Sequence, residues 1–320
     1  MLPTRDGSLR LFRLAGIDVY LHWTWLLVAF FQVRYRGEFN QYDNQVWNLI
    51  EYLSLFGIVL MHEFGHALAC RQVGGIADRI VLWPLGGVAF VNPPPQPGAV
   101  LWSIAAGPLV NVCLVPVTVG LWLASLLLNW GVVYPDLAHY LSMLMGINLT
   151  LLIFNLLPIY PLDGGQILQA LLWFVFGRAD SLMAVSILGL IGGGCIFILA
   201  LVLVMSGVGG AWWFVIIAMF MTIQAVAGFQ RGRLLSRILS GPRHREAVCP
   251  SCGTSPLVGN FWRCDECGTA FDTFEHRARC SNCSKLFKVT RCPDCYKQHP
   301  IEDWFAAAQA RDHYAHYAPR

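Results

Sequence analysis

Long apolar stretches fill most of residues 14–229 and determine the kind of fold this chain can adopt. A helix needs about 20 predominantly apolar residues to cross a bilayer. Hydrophobic residues make up 56% of the 320 and charged residues only 13%, whereas a soluble domain has about 25% charged residues. The sequence therefore predicts an all-α polytopic membrane protein with about six transmembrane helices. The six candidate spans are 14–33, 49–70, 99–128, 137–157, 182–206 and 211–229.

The chain becomes polar, basic and cysteine-rich after the last apolar stretch. We therefore expect two domains, a transmembrane core over 1–232 and a cytoplasmic cysteine-rich tail over 233–320. The first apolar stretch is longer than the core of a secretory signal, which has about 7–15 residues. We interpret it as a retained first span.

The placement of Arg and Lys in short loops predicts the orientation of a membrane protein. Loops that carry arginine alternate along the chain with loops 129–136 and 207–210, which carry neither Arg nor Lys. With six spans, this pattern puts both termini in the cytoplasm. Arg34 and Arg36 fall on the opposite side of that scheme.

The second apolar stretch contains the pattern HEFGH at residues 62–66. Positions i and i+4 share one face of a helix, so His62 and His66 can hold one metal ion while Glu63 acts as general base on a water. Zinc lowers the pKa of a bound water toward about 7. Chance is the alternative, but three ionisable side chains at membrane depth are costly to bury without a function. We predict a catalytic zinc site.

A catalytic zinc needs a third protein ligand and one open position. The segment NLLPIYPLDGGQ, residues 155–166, offers Asp163, the only acid between Asp136 and Asp180. Two prolines interrupt the helix before Asp163, and two glycines follow it. The second and fourth spans run in the same direction and end at the same side, so they bring Asp163 to the depth of the histidines. An ordinary loop aspartate at the membrane surface is the alternative.

Several polar side chains lie within the predicted spans. Asn111, in AAGPLVN, and Asn155 flank the predicted zinc site. An amide in a membrane helix either hydrogen-bonds a neighbouring helix or contacts the substrate and its developing oxyanion. We predict substrate binding for Asn111 and Asn155, helix packing for Asn148, and an interior polar role for His22.

The loop over residues 72–98 contains short extended segments around Gly86 and Gly87, followed by a proline cluster. A hairpin over 80–91 with an unpaired edge would accept an extended peptide as an added strand. A plain amphipathic turn is the alternative.

The motifs HEFGH, AGPLVN and NLLPIYPLDGG, in this order, resemble the site-2 protease family of intramembrane zinc metalloproteases. The resemblance covers residues 14–229. It implies a six-helix core that cuts transmembrane segments of other proteins, with His62, His66 and Asp163 as zinc ligands and Glu63 as base. It also places Gly86 and Gly87 where family members bind substrate as an added strand. The PDZ and CBS domains of many relatives are not recognisable in this sequence.

The tail contains four Cys-x-x-Cys pairs. Each pair presents two thiolates to one ion, and two pairs complete a tetrahedral four-cysteine site, so the tail predicts two structural zinc ions. Sequential pairing would give two zinc ribbons, and an alternating cross-brace is also open. Disulfides are disfavoured in a cytoplasmic tail. The eight cysteines are Cys249, Cys252, Cys264, Cys267, Cys280, Cys283, Cys292 and Cys295.

These features together predict an intramembrane zinc endopeptidase that acts on transmembrane protein substrates in the lipid bilayer. It would carry one catalytic and two structural Zn2+. The basic residues of the tail are offset by acids, which disfavours nucleic acid and favours a protein partner. The alternative is a non-catalytic membrane adaptor that keeps the zinc fold and signals through the tail. A transporter is a weaker third option.

Overall fold

The computed structural model describes residues 4–5, 7–25, 42–83, 86–295 and 297–317. The chain divides into two compact units, Met1–Arg233 and Leu234–Arg320.

The first unit contains a five-stranded sheet in the order β1-β2-β3-β4-β5. Strands β3 and β4 pair in parallel, and the other neighbouring strands pair antiparallel. This sheet is more extensive than the hairpin predicted over 80–91, which forms its β4–β5 half. The strands are β1 (Thr4–Arg5), β2 (Ser8–Leu14), β3 (Ile17–His22), β4 (Ile76–Trp83) and β5 (Gly86–Asn92).

The first predicted span, 14–33, is wrong for its N-terminal part, because residues 17–22 form strand β3. Ile17 and Val19 are fully buried, whereas Asp18 and Tyr20 between and after them are only partly buried. This alternation has the period of two that a half-buried strand requires. The high overall hydrophobicity of the stretch made this alternation hard to recognise in the sequence. The rest of the predicted span lies outside the described residues from position 26.

Five helices of the described residues are long and apolar enough to cross a membrane. They confirm the predicted helical membrane architecture and correspond to the second to sixth predicted spans. A four-residue helix, α3 (Trp130–Val133), and a fourteen-residue helix, α5 (Asp163–Phe176), are too short to cross. The five long helices are α1 (Val46–Gln72), α2 (Pro97–Leu127), α4 (Pro135–Leu156), α6 (Arg178–Met205) and α7 (Trp212–Leu239).

One face of the sheet packs on the C-terminal half of α1. Ile17 and Val19 of β3 and Ile80 and Leu82 of β4 form a buried cluster with residues of α1 that include Ala67. Burying side chains of this size stabilises the fold by about 1.5–3 kcal/mol each. The helix that carries the HEFGH pattern is therefore fixed to the sheet.

Arg71 ties the end of α1 to the strands. Its guanidinium donates to the carbonyls of Ala15 and Gly16, in the β2–β3 turn, and to the carbonyl of Ala77 in β4, at 2.6, 3.1 and 2.8 Å. The next turn uses Gly74 at φ +81°, a conformation that glycine adopts without strain.

The second unit is built from four short strands and a C-terminal helix. Trp304 and Phe305 of this helix pack against Phe274 and Ala278 in one buried cluster. The C-terminal helix is thus part of the core of the unit. The elements are β6 (Trp262–Arg263), β7 (Ala270–Phe271), β8 (Thr290–Arg291), β9 (Gln298–His299) and α8 (Ile301–Tyr317).

Candidate metal centres

Helix α1 presents His62, Glu63 and His66 to the interior of the first unit, Met1–Arg233, which we call the membrane unit. Their exposed fractions are 5, 6 and 6%. Because His62 and His66 are one helical turn apart, their Nε2 atoms come within 3.1 Å of each other.

Asp163 reaches the same point from the start of α5. The helix α4 ends at Leu156, and the chain turns through a segment with Pro158 and Pro161 before α5 begins at Asp163. The Oδ2 atom of Asp163 lies 3.0 Å from Nε2 of His62 and 3.4 Å from Nε2 of His66. The three predicted ligands therefore meet.

These three atoms fit a zinc ion. Zinc bonds of about 2.0–2.2 Å in a tetrahedron place ligand atoms about 3.3–3.6 Å apart. The three observed separations between these ligand atoms, 3.0, 3.1 and 3.4 Å, are close to those values. Two imidazoles and one carboxylate are also a donor set that zinc uses in catalytic sites.

The other ring nitrogens of the histidines are held by protein acceptors. The Nδ1 of His62 lies 2.6 Å from Oδ1 of Asn111, and the Nδ1 of His66 lies 3.0 Å from the carbonyl oxygen of Ser103. Because both acceptors call for a proton on Nδ1, each Nε2 is left unprotonated and free for a metal. Such partners orient the rings and fix their tautomers.

Asn111 is fully buried and both ends of its amide are engaged. Besides the contact to His62, its Nδ2 donates to Oδ1 of Asn148 at 2.9 Å. The Nδ2 of Asn148 in turn donates to the carbonyl of Asn111 at 3.1 Å. The structure thus buries Asn111 with its amide oxygen against the His62 ring and gives Asn148 a place in the same network.

Asn155 is half-buried near the end of α4. In the described part of the chain its side chain has no hydrogen-bond partner. Among the described residues, no group therefore competes with a ligand for its amide oxygen and nitrogen, whereas the amide oxygen of Asn111 is engaged by His62.

Glu63 contacts the edge strand of the sheet. Its Oε2 accepts a hydrogen bond of 2.9 Å from the backbone N–H of Ala89 in β5. A Cβ at Gly87 would overlap the Cγ of Glu63. Gly87 therefore lets the carboxylate lie directly on the strand, and Gly86 precedes it as the first residue of β5.

Two further glycines bring α1 and α2 together at the site, and no pattern in the sequence singled them out. A Cβ at Gly107 would overlap Nε2 of His66 and would lie 2.8 Å from Nε2 of His62. A Cβ at Gly65 would lie 2.6 Å from the carbonyl oxygen of Ala106.

The tail cysteines form two clusters in a nested pairing. The first and fourth pairs meet, with Sγ separations of 3.6 Å for Cys249–Cys295 and 3.8 Å for Cys252–Cys292. The second and third pairs meet with separations of 3.5 Å for both Cys264–Cys283 and Cys267–Cys280. Zinc–sulfur bonds of about 2.3 Å give sulfur separations of about 3.8 Å, so both clusters fit zinc.

The nested pairing corrects the predicted sequential order and its cross-braced alternative. The chain between the first and fourth pairs contains the whole inner cluster, and α8 closes the outer one by packing on Phe274. Spacing between pairs does not reveal such an arrangement, because each Cys-x-x-Cys turn is locally the same.

A buried pair formed by His244 and Asp272 supports the tail outside the cysteines. The Nε2 of His244 lies 2.9 Å from Oδ2 of Asp272, and the N–H groups of Gly259 and Phe274 also donate to this carboxylate. Burial alone would raise the pKa of Asp272, but these hydrogen bonds outweigh it and lower the pKa below its usual value.

Comparison with known proteins links the membrane unit to a protease family. Residues 129–201, which include Asp163, match Peptidase family M50. The chain is 34% identical to the zinc metalloprotease MJ0392 of Methanocaldococcus jannaschii over 54% of this chain and 48% of that protein. It is 28% identical to the putative zinc metalloprotease Rip3 of Mycobacterium tuberculosis over 76% of this chain and 64% of that protein.

Two further proteins are similar to parts of this chain. The chain is 36% identical to stage IV sporulation protein FB of Bacillus subtilis over 36% of this chain and 38% of that protein. A solved site-2 protease from Methanocaldococcus jannaschii shares 26% identity at a TM-score of 0.49, over 69% of this chain and 95% of that one. The chain spans 48% and 64% of the length of MJ0392 and Rip3. The family match and the relatives named zinc metalloproteases confirm the predicted resemblance to site-2 proteases.

Proposed function

We propose that this chain is an intramembrane zinc endopeptidase that hydrolyses peptide bonds within or next to transmembrane segments of other membrane proteins. The observation that carries the proposal is the close approach of His62, His66 and Asp163 to one another, with Glu63 held on β5, the edge strand of the described sheet. The similarity to relatives named zinc metalloproteases supports it.

In this proposal His62, His66 and Asp163 hold the catalytic zinc, and Glu63 is the general base. Zinc supplies Lewis-acid activation of the attacking water and of the scissile carbonyl. Glu63 accepts the proton of the water on its carboxylate and later returns it to the leaving amine, which balances the hydrolysis. The Ala89 N–H and the bare Cα of Gly87 hold that carboxylate in place.

The substrate would bind in extended form along β5. A helical segment hides its carbonyls in hydrogen bonds, so it must unwind before attack. Strand β5 lies at the edge of the described sheet, and an added strand at Gly86 and Gly87 would run past Glu63. We assign Asn155 as a substrate contact because its amide has no partner among the described residues, and Asn111 as a positioning residue for His62.

We further propose three zinc ions in each chain, one in the membrane unit and two in the tail. The tail would be a protein-binding or regulatory module, since its outer cysteine cluster and α8 share one small buried core. The functional domains would follow the predicted limits, 1–232 for the protease and 233–320 for the tail.

Both termini would lie in the cytoplasm. Arg71, at the C-terminal end of α1, binds the carbonyls of Ala15 and Gly16, whereas Tyr42 donates to Glu51 near the opposite end of α1. Twenty residues of helix span about 30 Å, the thickness of the hydrocarbon core. Gly16 and Tyr42 therefore lie near opposite ends of α1, and Gly16 lies at the end that the proposed placement of both termini on one side requires.

The Glu63→Gln variant tests the proposal. The purified chain, reconstituted in lipid vesicles with membrane-spanning polypeptides, should release fragments cut within the apolar segment, as identified by mass spectrometry. Glu63→Gln keeps the shape of the side chain but cannot accept the proton, so fragment release should stop while the zinc content is retained. Equal fragment release by both proteins would favour the non-catalytic adaptor instead.

A further inference from the structure

The segment between α4 and α5, residues 157–162, packs closely against glycines of α6 and α7. This segment is not helical and lies between membrane helices. Irregular backbone at membrane depth must be covered by protein or line a wet cavity. The glycine contacts of Ile159 and Tyr160 show what covers it.

Three glycines of α6 and α7 surround these two residues. A Cβ at Gly189 would lie 2.5 Å from the carbonyl oxygen of Tyr160, and a Cβ at Gly192 would lie 2.7 Å from Cδ1 of Ile159. A Cβ at Gly228 would lie 2.8 Å from Cε1 of the Tyr160 ring. We call Gly189, Gly192 and Gly228 the glycine notch.

The opposite side of the same segment is packed as closely. A Cβ at Gly165, in α5, would lie 2.5 Å from the backbone nitrogen of Tyr160. The backbone of Tyr160 is therefore enclosed between Gly165 on one side and Gly189 on the other. Such contacts leave no room for the segment to shift without moving a helix.

We propose that the glycine notch positions Asp163, by fixing Tyr160 three residues before it. The inference rests on the proposed function, in which Asp163 is a zinc ligand. Since Asp163 is the first residue of α5, its carboxylate position depends on where the preceding segment enters the helix. The helix pair α6–α7, which supplies no zinc ligand, would thus set the affinity of the site for zinc.

A zinc titration of the full chain tests this inference. The metal-free protein is titrated with Zn2+ against a chelator of known affinity, without substrate, and compared with Gly189→Ala and Gly228→Ala. The added methyl groups should displace Tyr160 and weaken zinc binding at the core site about 10- to 100-fold, the usual effect of disturbing the groups that orient a ligand. The two tail sites should keep their affinity in the same titration.

Gly194→Ala is the matched control. Gly194 lies on the same helix, α6, and no atom lies within 4 Å of a Cβ built there. Its zinc affinity should equal that of the unchanged protein. The inference would be overturned if both Gly189→Ala and Gly228→Ala kept the zinc affinity of the unchanged core site. A lower melting temperature with unchanged zinc affinity would overturn it as well.

Tyr160→Ala tests the notch without overfilling it, should the glycine variants fail to fold. Removing the ring should free the segment and weaken the core site in the same way, and unchanged affinity would overturn the inference. Combining Gly228→Ala with Tyr160→Leu, which lacks the clashing ring, should restore part of the affinity lost in Gly228→Ala. If the zinc affinities change as expected but the chain cleaves no substrate, the proposed function would be contradicted and the inference about the glycine notch would stand.

Discussion

The Nε2 atom of His62 lies 3.0 Å from the Oδ2 atom of Asp163, although 101 residues separate them in the chain. The two side chains come from different helices. Burying an ionisable group at membrane depth is costly, so their contact indicates a shared function. Their meeting joins the HEFGH helix and the proline-interrupted segment into one candidate site.

Replacing Asp163 with Asn should remove the core zinc. The amide is a much weaker zinc ligand than the carboxylate, so the two histidines alone would hold the ion poorly. Metal analysis of the purified variant should find two zinc ions per chain, both in the tail, against three in the unchanged protein. Three zinc ions in the variant would contradict the ligand assignment.

Replacing Asn148 with Leu should weaken the core site although Asn148 touches no proposed ligand. The change leaves the Nδ2 of Asn111 without its partner in a buried place, which costs about 1–3 kcal/mol, and removes the contact that holds the Asn111 amide against His62. The zinc affinity of the core should fall about 10- to 100-fold in a chelator competition.

Thr118→Val is the control for that change. Thr118 is buried on the same helix as Asn111, but its hydroxyl bonds only carbonyls of its own helix. Its loss should leave zinc binding unchanged. Equal effects of both substitutions would mean that the Asn111–Asn148 pair has no special link to His62.

Gly87→Ala should damage catalysis and spare zinc binding. The added methyl group would overlap the Cγ of Glu63 and force the carboxylate off β5. A misplaced general base lowers kcat by about 10²- to 10⁴-fold, while the zinc content should stay at three because Glu63 is not a ligand.

Gly57→Ala, on α1, is the matched glycine change because a Cβ there meets no atom within 4 Å. It should keep the kcat of the unchanged chain, measured on any substrate that the chain cleaves. A normal kcat in Gly87→Ala would show that Glu63 does not need the strand.

The histidines, Glu63 and Asp163 could be predicted from sequence because their signal is local. The i, i+4 spacing puts both histidines on one face, and Asp163 stands alone among apolar residues. The role of Asn111 could not, because its approach to His62 depends on how α1 and α2 pack at Gly65 and Gly107. Strand β3 was missed because its apolar residues were counted toward a span.

The nested pairing of the tail cysteines predicts an unusual pattern of zinc loss. Changing Cys252 and Cys292 to Ser together should remove one zinc, since both belong to the outer cluster. Changing Cys252 and Cys264 together should remove two, since these belong to different clusters. Sequential pairing predicts the reverse, and a cross-brace predicts two lost ions in both double variants.

The stability of the tail should depend on the charge of Asp272. Its pKa is lowered in the folded state, so the ionised carboxylate stabilises the fold above the unfolded pKa of about 3.9. That contribution is lost as the pH falls through the lower folded pKa. Asp272→Asn should therefore lower the free energy of unfolding of the tail by about 1.5–3 kcal/mol at pH 7.

The comparison should be repeated from pH 7 toward pH 4, where the difference between the two proteins should begin to shrink. Protonation of the cysteines affects the unchanged protein and Asp272→Asn alike, so it cancels in the difference between their free energies of unfolding. Asp303→Asn, at an exposed position of α8, should change the stability by less than about 0.5 kcal/mol. A pH-independent difference that persists to pH 2 would contradict the role of the ionised carboxylate.

The most direct test of the central claim compares the membrane proteins of cells that produce the unchanged chain with those of cells that produce Glu63→Gln at equal level. Quantitative mass spectrometry should find membrane-protein fragments that end within a transmembrane segment only when Glu63 is present. The corresponding intact proteins should accumulate with Glu63→Gln. Identical sets of fragments and intact proteins in both cells would contradict the account of this chain as an intramembrane protease.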